Sequence, residues 1–188
     1  MKKLIFLLLM MIPIVGFSQL TTTNPDTVCY QTNGSIYQVP SLGAGYTYTW
    51  TVAAPGVITS GQGTNQIGVN WSAAAPGLIN NAISVTASGP GNCPSAPVTL
   101  NVFILNVVPT ITAIGPFCQG ASCVTLTGTP AGGTFTGTGV SNGQFCPTIA
   151  GPGTHTITYT YTSNGCTFTA TTTVTVNSTP VLSPIQHN

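Results

Sequence analysis

Charge is what this sequence most lacks. Only 3 of its 188 side chains are formally charged: Lys2, Lys3 and Asp26, the single acid. That is 2%, against about 25% in an average soluble domain. With no Arg, and no Lys beyond Lys3, there is no basic surface to neutralise phosphates, which excludes nucleic acid as a partner. One carboxylate cannot build the oxygen cage of calcium or magnesium, nor the carboxylate pair of a glycoside hydrolase. No C-x-x-C occurs, so the zinc and thioredoxin spacings are missing. No metal, cofactor or catalytic set is therefore expected, and the chain reads as non-enzymatic. What it does hold is 22 Gly, 15 Pro, 6 Cys and 33 Thr.

The N-terminus reads as a secretory signal over residues 1–18. Lys2 and Lys3 form its positive region, Leu4 to Val15 its apolar region, and Gly16 and Ser18 the small residues of a cleavage site. The apolar run is shorter than the 18 or more residues that span a bilayer, and no cysteine near the cut suits a lipid anchor. Cleavage would leave 188 − 18 = 170 residues whose only charged side chain is Asp26. Such a chain is secreted, to the periplasm, the cell surface or beyond.

Period-2 alternation dominates the rest. Tyr46-Thr-Tyr48-Thr-Trp50-Thr-Val52 places aromatics on one face and threonines on the other, as do His155–Tyr161 and Cys166–Ala170 running on to Val176. Further strands are expected at Ile36–Val39, Ile67–Trp71, Ala82–Ala87, Val98–Ile104 and Cys123–Thr127. Asn33-Gly34, Pro55-Gly56, Pro76-Gly77, Asn142-Gly143 and Asn164-Gly165 are among the turns between them. The class is all-β, with two tandem antiparallel β-sandwiches: residues 19–105, residues 106–180, and a tail at 181–188. The boundary falls near Pro109, and the pattern runs twice. Each half starts near a Cys and passes through Gly-rich turns to a long alternating strand. A Gly-Asn-Cys or Asn-Gly-Cys turn and a last Thr/Val-rich strand complete it.

All six Cys fall in the exported part, where structural disulfides persist. Cys29 and Cys93 bracket the first half, and Cys118 and Cys166 the second. On this pseudo-repeat Cys29 is expected to pair with Cys93 and Cys118 with Cys166, leaving Cys123 with Cys146. The sequence itself permits three pairings of the last four. A bridge closing some sixty residues is worth roughly 4 kcal/mol, a large share of the stability of a domain of about 80 residues.

The second half resembles an immunoglobulin-like repeat of secreted and surface proteins of the Bacteroidetes. The resemblance is carried by Gly128-Thr-Pro-Ala-Gly-Gly-Thr-Phe135, Gly139-Val-Ser141, Gly153-Thr-His-Thr-Ile-Thr-Tyr159 and Asn164-Gly-Cys166. The first half is similar to the PKD-like domain that often accompanies it, through Tyr46–Trp50, Ser60-Gly-Gln-Gly-Thr64, Ile67–Trp71 and Cys93. The resemblance implies a surface setting, in adhesin-like proteins linked to gliding motility and type IX secretion. Cys123 and Cys146 depart from the usual repeat. Up to Asn188 the sequence carries no recognisable type IX sorting domain, so the export route stays open. Asp26-Thr27-Val28 resembles the short O-glycosylation motif of the phylum, which makes Thr27 a candidate acceptor.

Other chemistry is outweighed by plainer readings. Gly139-Val-Ser141-Asn-Gly143 matches the G-x-S-x-G elbow, but no acid follows it, and a Gly-rich hairpin turn accounts for it. His155 reads as a packed strand residue without an acidic partner, and His187 is next to the last residue. Trp50 and Trp71 would serve a carbohydrate-binding module if exposed, and core if not. Regular threonine rows raise a further reading, ice binding, against which stands the twist of a sheet. Sheet edges without Lys and a net charge near zero favour association. Protein partners or further copies are expected at sheet edges or at the apolar tail, with surface glycans as the other partner class.

Overall fold

The computed structural model describes residues 25–185 and 187. The expected signal sequence, residues 1–18, lies outside the described residues. The N-terminal half forms seven strands: β1 (Asp26–Cys29), β2 (Ser35–Gln38), β3 (Thr47–Val52), β4 (Val57–Ser60), β5 (Gln66–Asn70), β6 (Gly77–Ser88) and β7 (Val98–Leu105). They make two sheets, in the orders β1-β7-β6-β3 and β2-β5-β4. The alternation in β3 does what period 2 demands: Tyr48 and Trp50 are buried, while Thr47, Thr49 and Thr51 are exposed. Their inward side chains meet Ile67 and Val69 from the other sheet, and Trp71 just beyond β5, in one hydrophobic cluster, so this half is a sandwich. Within β6 the register shifts between Ile79 and Ile83. Asn81 sits there at φ 47°, and its N–H donates to Asn101 Oδ1 at 2.7 Å. This is a bulge stabilised by a side chain.

The C-terminal half continues with β8 (Thr110–Ile111), β9 (Phe117–Cys118), β10 (Val124–Thr125), β11 (Gly128–Thr129), β12 (Thr134–Gly137), β13 (Val140–Ser141) and β14 (Gln144–Phe145). A four-residue helix α1 (Pro147–Ala150) follows, then β15 (Gly153–Ser163) and β16 (Cys166–Asn177). The main sheet runs β12-β15-β16-β9, faced by β10-β14-β13 and the pair β11-β8. Leu126, Phe145, Ile157, Val174 and Val176 are its buried cluster. The long hairpin β15–β16 is in register from Gly153↔Val176 to Ser163↔Cys166. Its turn residues Asn164 and Gly165 have φ 48° and 77°, the left-handed pair that matches the twist of a two-residue hairpin.

Both halves are all-β sandwiches, as the alternation predicts, but two features differ. The sheets are not wholly antiparallel: β1 runs parallel to β7, and β9 runs parallel to β16. A parallel pair needs a long crossover, and the whole intervening body of each half supplies it. The helix α1 was not legible. It begins at Pro147, whose missing N–H costs nothing at a first helical position. The expected strand Cys123–Thr127 shortens to β10.

The Gly-Thr-Pro-Ala-Gly-Gly-Thr-Phe stretch wraps one side chain. Tyr159 is 1% exposed, and its hydroxyl donates to the Pro130 carbonyl while accepting from the Gly133 N–H at 2.8 Å. Phe135 stacks on it at 4.5 Å between centroids. A Cβ at Gly128 would lie 2.7 Å from Tyr159 Cε1, and one at Gly133 would lie 2.6 Å from Cε2. Both glycines are required because backbone covers the ring. Gly133→Ala is therefore expected to cost about 1–3 kcal/mol by overpacking. Gly120→Ala, which meets nothing within 4 Å, should stay within about 0.5 kcal/mol of the parent. Calorimetric unfolding of the two variants checks this.

Candidate functional site

Cysteine chemistry is the feature of this molecule that the fold places most specifically. Among the described residues Cys29 is joined to Cys166 and Cys123 to Cys146. Cys93 and Cys118 are free and exposed. The expected pairs Cys29–Cys93 and Cys118–Cys166 do not form, and strand direction is the reason. Cys29 lies opposite Leu105 at the end of β7, while Cys93 lies in the turn before β7 begins at Val98. Eight residues of strand separate the two ends by about 23 Å, far beyond the ~7 Å between Cα atoms that a disulfide tolerates. Likewise Cys118 lies opposite Asn177 at the end of β16, and Cys166 stands at its start. Those 12 residues span about 36 Å.

The bond that does form joins the two halves across 137 residues of chain. In the chain-entropy picture a loop of that length is worth roughly 5 kcal/mol. An open groove runs along the junction, between Cys29–Gln31, Asn106–Pro109 and Thr167–Thr169. Cys123 and Cys146 extend the β10–β14 ladder by one step beyond Val124↔Phe145. Sequence reasoning missed the inter-half bond, although equivalent positions in the pseudo-repeat were visible.

The one acid is held in a hydrogen-bond network with two aromatic side chains. Tyr37 donates to Asp26 Oδ2 at 2.9 Å and accepts from the Trp71 indole N–H at 3.1 Å. Burial, then the Asp26 charge and hydrogen bond, push the Tyr37 phenol well above its ordinary value of 10.0. Trp50 is 4% and Trp71 0% exposed, so both are core, and no sugar platform is built from them. The Trp50 N–H of the indole donates to the Thr64 carbonyl at 2.8 Å. His155 donates from Nε2 to the Gly151 carbonyl at 2.8 Å and packs by Phe145 at 6.2 Å. Ser141 ends β13, and Asn142-Gly143 turn straight into β14, a hairpin and not a strand–turn–helix elbow. His187 is exposed beyond the last strand. Among the described residues no three His, Cys, Asp or Glu gather as a metal site. Thr27 is half-buried on the edge strand β1.

The threonine rows are in register. Thr154, Thr156, Thr158, Thr160 and Thr162 stand opposite Thr175, Thr173, Thr171, Thr169 and Thr167. Thr136 and Thr134 on β12 continue the rows beside Thr158 and Thr160. One face of the main sheet is thus a neutral hydroxyl surface three strands wide.

Residues 17–102 match the family model of the PKD-like domain. That stretch takes in all of the first sandwich up to Val102. No curated protein matches the chain. Among solved structures it is similar to the fibronectin(III)-like modules of Clostridium thermocellum CbhA, at 16% identity and a TM-score of 0.38, covering 92% of this chain and 98% of that one. It is also similar to the titin domains z1z2 in complex with telethonin, at 14% identity and a TM-score of 0.30, covering 82% and 92%. Two disulfides and the match to the PKD-like domain model are consistent with an extracellular domain. Among the described residues no helix is long and apolar enough to cross a membrane.

The Tyr37 network yields a pH prediction. The folded phenol holds its proton more tightly than the unfolded one. The stability it contributes is complete below pH 10 and is lost as pH rises past that value, where only the unfolded chain ionises. Tyr37→Phe should cost about 1–3 kcal/mol at neutral pH, by leaving the Trp71 N–H unsatisfied. It should also flatten the alkaline fall in stability. Denaturant melts followed by tryptophan fluorescence from neutral to alkaline pH measure both effects.

Proposed function

We propose that this chain is a non-enzymatic, exported structural or adhesive module that works within a larger assembly at the cell surface. It has two domains, residues 19–105 and 106–180, followed by a tail at 181–188. The observation that carries the reading is the character of its edges. Natural sheets guard their edges with charge, yet among the described strands only β1 holds a charged residue, Asp26. The tail adds apolar surface: Val181, Leu182 and Ile185 are all at least 90% exposed. A surface of that kind gains by contact with neighbours and loses little charge solvation on docking. Thr27, half-buried on the edge strand β1, is the proposed glycan acceptor.

With its free thiols alkylated, the purified full chain is expected to associate as its concentration rises, measured by sedimentation equilibrium. Loss of residues 181–188 should weaken that association. Because few charges take part, association should be nearly unchanged from low salt to about 1 M, where the Debye length falls to about 3 Å. A strictly monomeric chain at high concentration, with and without its tail, removes the self-assembly reading.

A second reading, ordering of ice by the threonine face, is favoured by one observation, the in-register rows across β12, β15 and β16. Thermal hysteresis is its measurement. Activity that disappears in Thr158→Lys would support it, and no hysteresis at high protein concentration removes it.

A further inference from the structure

The Cys29–Cys166 bond is built from two halves, and the molecule contains each half twice. One half is a strand end. Cys29 closes β1 opposite Leu105, the Tyr30 N–H donates to the Leu105 carbonyl at 2.8 Å, and the Thr32 N–H turns back to the Cys29 carbonyl at 3.1 Å. Cys118 repeats this atom for atom. It closes β9 opposite Asn177, the Gln119 N–H donates to the Asn177 carbonyl at 2.9 Å, and the Ala121 N–H turns back to the Cys118 carbonyl at 3.0 Å. The other half is a hairpin turn. Cys166 follows Asn164-Gly165, with Sγ 3.9 Å from the carbonyl oxygen two residues back. Cys93 follows Gly91-Asn92 in the longer loop between β6 and β7, where only Asn92 is left-handed, and its Sγ likewise lies 3.7 Å from the carbonyl oxygen two residues back.

Inside the chain, the strand-end half of the first unit is bonded to the turn half of the second. That leaves over the turn half of the first unit, Cys93, and the strand-end half of the second, Cys118. Both are exposed thiols. Each lies at the end of its unit away from the bridged junction, with β7 and β16 in between, so the two do not meet within one folded chain. The end that carries Cys118 also carries the exposed aliphatics Val181 and Leu182, just as Val107, Val108 and Pro109 follow β7 at the inner junction.

We propose that Cys118 of one copy of this chain and Cys93 of the next form a disulfide that repeats the inner junction and joins copies head to tail. The inference rests on the reading of the chain as an exported structural module. Two thiols become one disulfide with release of two protons and two electrons. The electrons pass to an exported disulfide oxidant by thiol–disulfide exchange: a thiolate of the pair attacks the oxidant's disulfide and expels one of its sulfurs as a thiol. The second cysteine then attacks the mixed disulfide and expels the other sulfur, so the oxidant leaves as two thiols.

The test uses the full chain, exported and purified, with oxidised glutathione as the disulfide oxidant. Non-reducing electrophoresis should show a ladder of monomer multiples that collapses with dithiothreitol. Prior alkylation of the folded protein should abolish the ladder without any mutation. Cys93→Ser or Cys118→Ser alone should each lose it. An equimolar mixture of the two variants should stop at a dimer in which peptide mapping finds Cys118 joined to Cys93. The proposal is overturned by a monomer that keeps two titratable thiols, by mapping of Cys93 to Cys29, or by Cys93–Cys93 and Cys118–Cys118 as the main products. It is equally overturned if the pure chain gives no ladder while Cys93 from the native cells is bonded to a different protein. If the ladder is absent but the alkylated chain still associates in sedimentation, the covalent link fails and the module reading stands. If neither occurs, the covalent link and self-assembly both fail.

Discussion

The direction of the first strand in each half is the constraint on which the rest depends. A strand entering antiparallel to the last one would bring its cysteine to the hairpin end of its own sheet, and each half would close on itself. Here β1 and β9 run parallel to β7 and β16, so each first cysteine is delivered to the exit end of its unit. The hairpin cysteine stays at the entry end. A bond within one unit is then out of reach, and only a bond between successive units satisfies the spacing. Disulfide placement thus follows from sheet topology, and it adds a second covalent link between two small sandwiches with limited cores.

A nearly uncharged chain must satisfy its polar groups by other means, and the N-terminal half shows how. Gln62 lies against the outer edge of β3, where its amide accepts from the Trp50 N–H at 3.2 Å and donates to the Trp50 carbonyl at 2.9 Å. The neighbouring Tyr48 N–H is taken by the Gly63 carbonyl at 3.2 Å. A neutral side chain and a loop do here what a lysine does on many natural edges. Tyr37 plays a related part inside, since it lets a buried indole N–H and a lone carboxylate share one hydroxyl. Such a pairing gives Asp26 a structural role.

Much of this was legible in the sequence. The threonine alternation at 47–52, 154–162 and 167–175 locates the long strands and their faces, because a half-buried antiparallel sheet writes its period directly into the chain. The Asn-Gly turns place the hairpins, since few residues accept two successive positive φ values. The glycines at 128 and 133 were visible as a motif, but their purpose was not, because the Tyr159 ring they cover is some 26 to 31 residues away. The cysteine pairing was misread for a specific reason. The pseudo-repeat identifies equivalent cysteines, and bracketing suggested closure within each repeat. Equivalence carries no information about whether the first strand runs parallel or antiparallel to the last, and that one fact decides the partners.

The same repeat logic bears on what kind of object the protein is. A junction whose two halves are displayed on every unit is an extensible device, and in the proposed assembly one unit's strand end meets the next unit's turn. Such an interface is heterologous, and heterologous contacts that do not close into a ring propagate as filaments. A low surface charge suits that outcome, because stacking copies of a highly charged module would accumulate repulsion, whereas a face of paired threonines adds almost none. A covalent bond at each junction also removes the need for a large apolar interface, which units of this size, with most of their aliphatic side chains committed to two small cores, have little material to build. In the proposed assembly the scarcity of charge and the placement of the six cysteines are two sides of one solution: strength along the chain comes from sulfur, and compatibility between neighbours comes from neutrality.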